Sequence, residues 1–226
     1  GMLNKCGLLE KGSNNLIPYA SRMYRKGKPD VAASFKKTFS RECKPHFVGV
    51  WDTVKSVGLF IPRKFPNAKL NQDVANGYHA LSIDEQRSKF QPNLLDKASP
   101  GQTIEQVWFA GVHSDIGGYF KKDGLSNITL LWMLDKAKSC GLFINDIKYK
   151  DLADKPDKHK DKLHNSLLPF YWILGWWRRR IVDKNKYDIP CIHESVYKRI
   201  EDKVDGYNPG NLPPKNAVKI VKNEVS

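Results

Sequence analysis

The stretch "IEQVWFAGVHSDIGGYF", Ile104 to Phe120, decides how the chain is read. Its first nine residues form a short apolar and aromatic run with β-branched positions, the composition of a strand buried on both faces. The run then delivers His113, Asp115 and the pair Gly117 and Gly118 in quick succession. A histidine at the end of a strand, beside a carboxylate and flexible glycines, has the layout of a catalytic imidazole. A second such run lies upstream. "HFVGVWD", His46 to Asp52, is bounded by Lys44-Pro45 before and by "DTVKSVG" after, and it ends on an acid.

Helical patterns surround these runs. Leu3 to Tyr24 reads as helix broken at "KGSNN", and "PDVAASFKKTFSRE" as an amphipathic helix with Val31, Phe35 and Phe39 on one side. "DVANGYHALSIDEQRSKF" reads as a helix around His79. "LSNITLLWMLDKAKSCG" is a helix with Ser126 as its cap and Gly141 as its stop. Helices alternating with buried strands predict an α/β layer structure with parallel strands, although only two strands are plain. The reading divides the chain at 1–144, the α/β part, and 145–226, a basic helical and irregular extension packed on it.

Composition narrows the classes. Across 226 residues, 40% are hydrophobic and 11% aromatic, enough for a core. Lys and Arg outnumber Asp and Glu by 38 to 24, a net charge of +14 spread along the chain as on a solvated surface. Such a charge permits an anionic membrane, an acidic partner or nucleic acid, and nucleic acid ranks last because no recognition motif accompanies it. Cys6, Cys43, Cys140 and Cys191 are far apart, so neither a zinc site nor a disulfide framework is expected, and no metal or cofactor is. No run reaches the ~18–20 apolar residues of a membrane span, and no signal peptide opens the chain.

The chemistry condenses on three residues. Asp52 and His113 each follow a predicted strand, and ligand crevices in open α/β sheets lie outside those strand ends. A carboxylate that orients an imidazole, which in turn activates a nucleophile, is the logic of a hydrolytic triad. Asp115 competes with Asp52 for the acid role. Asp52 is favoured because it has its own strand end, whereas Asp115 can serve the loop amides ahead of the glycines. The nucleophile elbow G-x-S-x-G does not occur in the 226 residues; "VKSVG" around Ser56 comes nearest and is read as loop. His159, His164, His193 and Glu194 are read as surface or structural. In "FYWILGWWRRR" five aromatics precede three arginines, so Trp176, Trp177, Arg178, Arg179 and Arg180 are the candidates for contact with lipid or a partner.

Five motifs in order, "FVGVWDTVKSVG", "YHALSIDEQRSKFQP", "VWFAGVHSDIGGYF", "LSNITLLWMLDKAKSCGL" and "IHESVYKRI…YNPGNLP", resemble a family of α/β-hydrolase-like domains that includes phospholipase effectors of bacterial type VI secretion. The resemblance runs from about Met2 to Pro213. It implies a partial α/β-hydrolase-like fold and a Ser–His–Asp mechanism on lipid ester bonds. It also implies a bacterial cytoplasmic protein exported by a specialised secretion system. By motif, His113 matches the family's histidine, and Asp52 and Asp115 match its two aspartates. One glycine of the family's G-G-G-Y is absent from "GGYF". The family's serine elbow, G-F-S-R-G-A, precedes a segment like "GMLNKCGLL", inside which this chain begins. The resemblance therefore implies a truncated member, inactive alone, that acts on a lipid or ester only with the N-terminal half. Separately, two strands without pairing partners lead us to expect self-association through an unpaired sheet edge.

Overall fold

The computed structural model describes residues 1–54, 56–57, 63–64, 70–167, 175, 177–181 and 189–223. Its centre is a five-stranded, wholly parallel sheet whose strands follow chain order: β1 (Phe47–Trp51), β2 (Asn76–Ser82), β3 (Thr103–Phe109), β4 (Cys191–His193) and β5 (Lys219–Val221). Helices flank it: α1 (Met2–Cys6), α2 (Ile17–Lys26), α3 (Pro29–Phe39), α4 (His113–Gly117), α5 (Gly124–Ser139), α6 (Asp146–Ala153) and α7 (Glu194–Glu201). The architecture is a partial α/β fold with a mainly helical C-terminal part, as expected.

The two strands read from sequence, β1 and β3, lie on either side of β2. The segment around His79, expected to be helix, is therefore a correction: it is β2, the strand between the two site-bearing ones. From Gly77 to Ser82 every residue of it is buried. A strand covered on both faces loses the polar–apolar alternation that marks a half-exposed one, and its His79 is carried inward. Burial pushes the His79 imidazole down to about 4, so it is neutral and accepts a bond from Thr53 N at 3.1 Å.

Each sheet face has its own core. Tyr78, Ala80, Val107 and Phe109 point to the face covered by α5 through Leu125, Ile128, Trp132 and Met133. Leu81, Trp108 and Ile192 point to the opposite face, where Ile181 and Val196 of the C-terminal part meet them. The period-two alternation of a strand sends neighbouring residues to opposite cores. β1 approaches α5 so closely that a Cβ on Gly49 would stand 2.5 Å from Met133 Sδ. β4, β5 and α7 arise in the segment after residue 144 and extend the same sheet. Helix α5 begins two residues before its expected cap. Asp161 Oδ2 accepts from Gly124 N at 2.8 Å, while Ser126 Oγ turns back to Asp123 O. Among the described residues no helix is long and apolar enough to cross a membrane.

Candidate active site

Three parallel strands end side by side at one edge of the sheet. β1 ends at Trp51, and the next residue, Asp52, turns the chain with φ +40°, a left-handed conformation that costs a non-glycine residue about 1–3 kcal/mol. A short bond from Asp52 N to Ala80 O, 2.7 Å, holds that turn against β2. The side chain is then wholly buried beneath the sheet's C-terminal edge. After β3 the chain passes Gly111 at φ +125°, where a Cβ would come within 2.6 Å of Asp115 Cβ. That glycine lets the backbone fold tightly into α4, and His113 is the first residue of that helix.

Asp52 and His113, 61 residues apart, are brought into contact: Asp52 Oδ2 lies 2.7 Å from His113 Nδ1. The carboxylate is saturated. Oδ1 accepts from Ser82 N at 3.0 Å, and Arg179 grips both oxygens, Nη1 on Oδ1 and Nη2 on Oδ2 at 3.0 Å. Burial alone would raise this carboxyl. The His113 hydrogen bond and the Arg179 guanidinium outweigh it and hold the group at about 2, so it is ionised at neutral pH. An ionised acceptor on Nδ1 fixes the imidazole as the Nδ1–H tautomer and leaves Nε2 with its lone pair for a substrate or nucleophile. The His113 side chain keeps 30% of its surface exposed, and its ring meets Phe90 edge-on at 5.2 Å.

Surrounding groups brace this pair. Glu85 Oε2 accepts from His113 N at 3.2 Å and is itself clamped by Arg87. Burial would raise the Glu85 carboxyl, but the Arg87 bonds prevail and lower it. Ser82 Oγ donates to Gly111 O at 2.7 Å and accepts from Glu85 N at 3.1 Å, joining the ends of β2 and β3. Ser82 is fully buried and committed to these bonds.

Asp115 does not reach His113. Its Oδ2 accepts from Val112 N and from His164 N, both at 3.1 Å, and its Oδ1 lies 2.7 Å from His164 Nδ1. His193 lies at the start of α7, taking Ser195 N onto Nδ1 at 3.2 Å, and burial pushes it down to about 4. His159 pairs with Asp202 at 2.8 Å.

The arginine run behaves differently from its sequence reading. Arg178 and Arg180 are exposed and Trp177 is half-buried, whereas Arg179 is 1% exposed. Arg179 is thus a correction to the expected lipid- or partner-contacting row: its charge is spent on Asp52, on Ser82 O at 3.0 Å and on Phe90 O. Trp176 and the side chain of Ser56 lie outside the described residues. Sequence reasoning also missed Ser82 and Glu85, because a lone Ser and Glu in "ALSIDEQ" carry no spacing signal. Among the described residues no group of three or more His, Cys, Asp or Glu could hold a metal ion.

Over 104 residues the chain is 38% identical to YEL023C of Saccharomyces cerevisiae, a protein described as uncharacterised. The match covers 40% of this chain and about 15% of the length of that curated relative. No solved structure matches the chain. The catalytic-domain profile of type VI secretion phospholipase effectors, Tle1-like, matches residues 1–136, a shorter span than the sequence motifs suggested. With most of its length inside that match, the chain belongs to the Tle1-like phospholipase effector catalytic domain family.

Proposed function

We propose that this chain supplies the acid and the general base of a Ser–His–Asp site that cleaves acyl ester bonds of phospholipids. The observation that carries the reading is the 2.7 Å contact between Asp52 Oδ2 and His113 Nδ1 at adjoining strand ends, with the imidazole still accessible. In that site His113 Nε2 takes the proton of a serine hydroxyl as it attacks the ester carbonyl, then returns it to the leaving alcohol. Asp52 holds the tautomer and stabilises the imidazolium that forms between the two steps. The nucleophile is proposed to come from a serine outside these 226 residues, since the sequence holds no G-x-S-x-G. Among the described residues β1 has a neighbouring strand on one side only, which leaves an edge where a strand carrying such a serine could pair.

The test joins the chain behind the serine-bearing half of a Tle1-like domain and assays a chromogenic short-chain ester and fluorogenic phospholipid vesicles. Hydrolysis by the joined protein, absent from the 226-residue chain alone, is the expected result. Activity of the isolated chain that disappears in His113→Ala would place the nucleophile within it and overturn the division. Undiminished hydrolysis by the joined His113→Ala protein would refute the role of the imidazole.

A second reading is a surface for anionic bilayers, favoured by the outward Arg178 and Arg180. Co-sedimentation with phosphatidylglycerol vesicles should weaken with salt and with Arg178→Ala/Arg180→Ala. Absence of binding at low salt would remove it.

A further inference from the structure

Resting on the acid–base assignment above, we propose that Arg179 is a positioning residue for that pair: its guanidinium fixes the plane of the Asp52 carboxylate so that Oδ2 faces His113 Nδ1. The residue lies outside the 1–136 family match, in a segment that composition alone assigns to the surface.

The geometry requires such a device. A carboxylate can rotate about its Cβ–Cγ bond, and Asp52 sits on a left-handed turn directly after a strand. One amide, Ser82 N, would leave that rotation loosely set. Arg179 presents two nitrogens to two oxygens, the planar fork that matches a carboxylate's own plane. The fork is held in turn. Nη1 also donates to Ser82 O, Nη2 also donates to Phe90 O, and Asn211 Nδ2 donates to Arg179 O at 3.0 Å and to Ile83 O at 3.1 Å. Arg179 therefore links β1, the end of β2, the following loop and the C-terminal segment to one carboxylate. With its plane set, Oδ2 has a single lone-pair direction left for His113. Among the described residues, the charged groups bonded to His113 or to those partners are Asp52, Arg179, and Glu85 with Arg87. Asp52 is the one of these acids bonded to the ring.

The experiment is long-range proton–nitrogen NMR of the histidine rings in the 226-residue chain at neutral pH, with circular dichroism to check folding. Wild type should show His113 as one Nδ1–H tautomer with a sharp hydrogen-bonded proton. Arg179→Met should lose that sharp proton and mix the two tautomers. Arg179→Lys, which keeps the charge but not the fork, should fall between, and Asn211→Ala should move the signal slightly in the same direction. A folded Arg179→Met with the wild-type His113 signature would overturn the proposal. If that variant does not fold, an unchanged signature in the lysine variant overturns it instead. Asp52→Asn separates the two readings. A His113 signal indifferent to Asp52→Asn defeats the acid–base assignment itself, whereas a signal that responds to Asp52→Asn and not to Arg179 defeats only the positioning role.

Discussion

Two aspartate–histidine pairs stand at the same edge of the sheet, and both close at 2.7 Å: Asp52 with His113 and Asp115 with His164. Distance alone cannot tell them apart. What surrounds them does. Asp52 gathers bonds from the end of β2, from α4 and from the C-terminal Arg179, so its carboxylate is a junction of remote elements with a guanidinium counter-charge. Asp115 serves its own loop, taking the Val112 amide, and ties down the strand-less segment through both the amide and the ring of His164. The His164 ring is stacked flat on Phe120 at 3.7 Å with 16% of its side chain exposed, while the His113 ring meets Phe90 edge-on and is about twice as open. One pair leaves its imidazole partly open to solvent. The other has an imidazole used as a clasp, beside a cavity of about 350 Å³ lined also by Ser166 and Asp84. The lesson is that an acid–imidazole contact gains a catalytic reading from the anchoring of the acid and the openness of the ring.

The sharpest way to break this contrast is to remove each acid. Asp52→Ala leaves the Arg179 charge buried without its partner and should cost about 3–5 kcal/mol of stability in urea unfolding. Adding Arg179→Met should recover much of that loss; if it recovers nothing, the two side chains do not act as a pair. A smaller effect comes from the clasp. His164→Ala deprives the buried Asp115 of its ring donor but spares both amides, so a loss of about 1–3 kcal/mol is expected. His113→Ala should cost less than His164→Ala, since Asp52 keeps Arg179 and Ser82. The reverse order would mean that the roles have been exchanged.

Acid gives a subtler separation. Asp52 is depressed to about 2 when folded against ~3.9 for a free aspartate, so its contribution is full above pH ~4 and lost as pH falls through about 2, on the order of 2 kcal/mol. His79 and His193, both lowered to about 4 by burial, remove stability over a different window, as pH falls from ~6.5 through about 4. Comparing wild type with Asp52→Asn/Arg179→Met cancels the His193 contribution, and the opposite effects of Asp52 and Arg179 on His79 offset each other. The gap in unfolding free energy should shrink between pH 4 and 2.5. A constant gap throughout would show that Asp52 is not held ionised.

Much of the site was legible in the sequence and much of the fold was not, for related reasons. Asp52 and His113 were visible because each follows an apolar run, and strand ends are where open α/β sheets bind. β2 was hidden by its own burial. "NGYHALS" has neither alternation nor β-branched residues, and its His79 looks polar although it is neutral inside. β4 and β5 are three residues each, too short for any periodicity, and they find their place only by pairing with the longer strands. Arg179 was hidden by its company: in "WWRRR" it is indistinguishable from the two exposed arginines beside it. Only the presence of a buried carboxylate elsewhere in the chain gives the middle one its partner, and that is a long-range fact.

On the proposed function His113, and not His164, is the working base, and one assay separates the two. Ester hydrolysis is measured in the serine-bearing joined protein with His113→Ala and His164→Ala, each corrected for folded fraction. His113→Ala should lower the rate on the order of 10³-fold or more, and His164→Ala should change it by less than about tenfold. Loss of activity in His164→Ala with His113→Ala still active would contradict it.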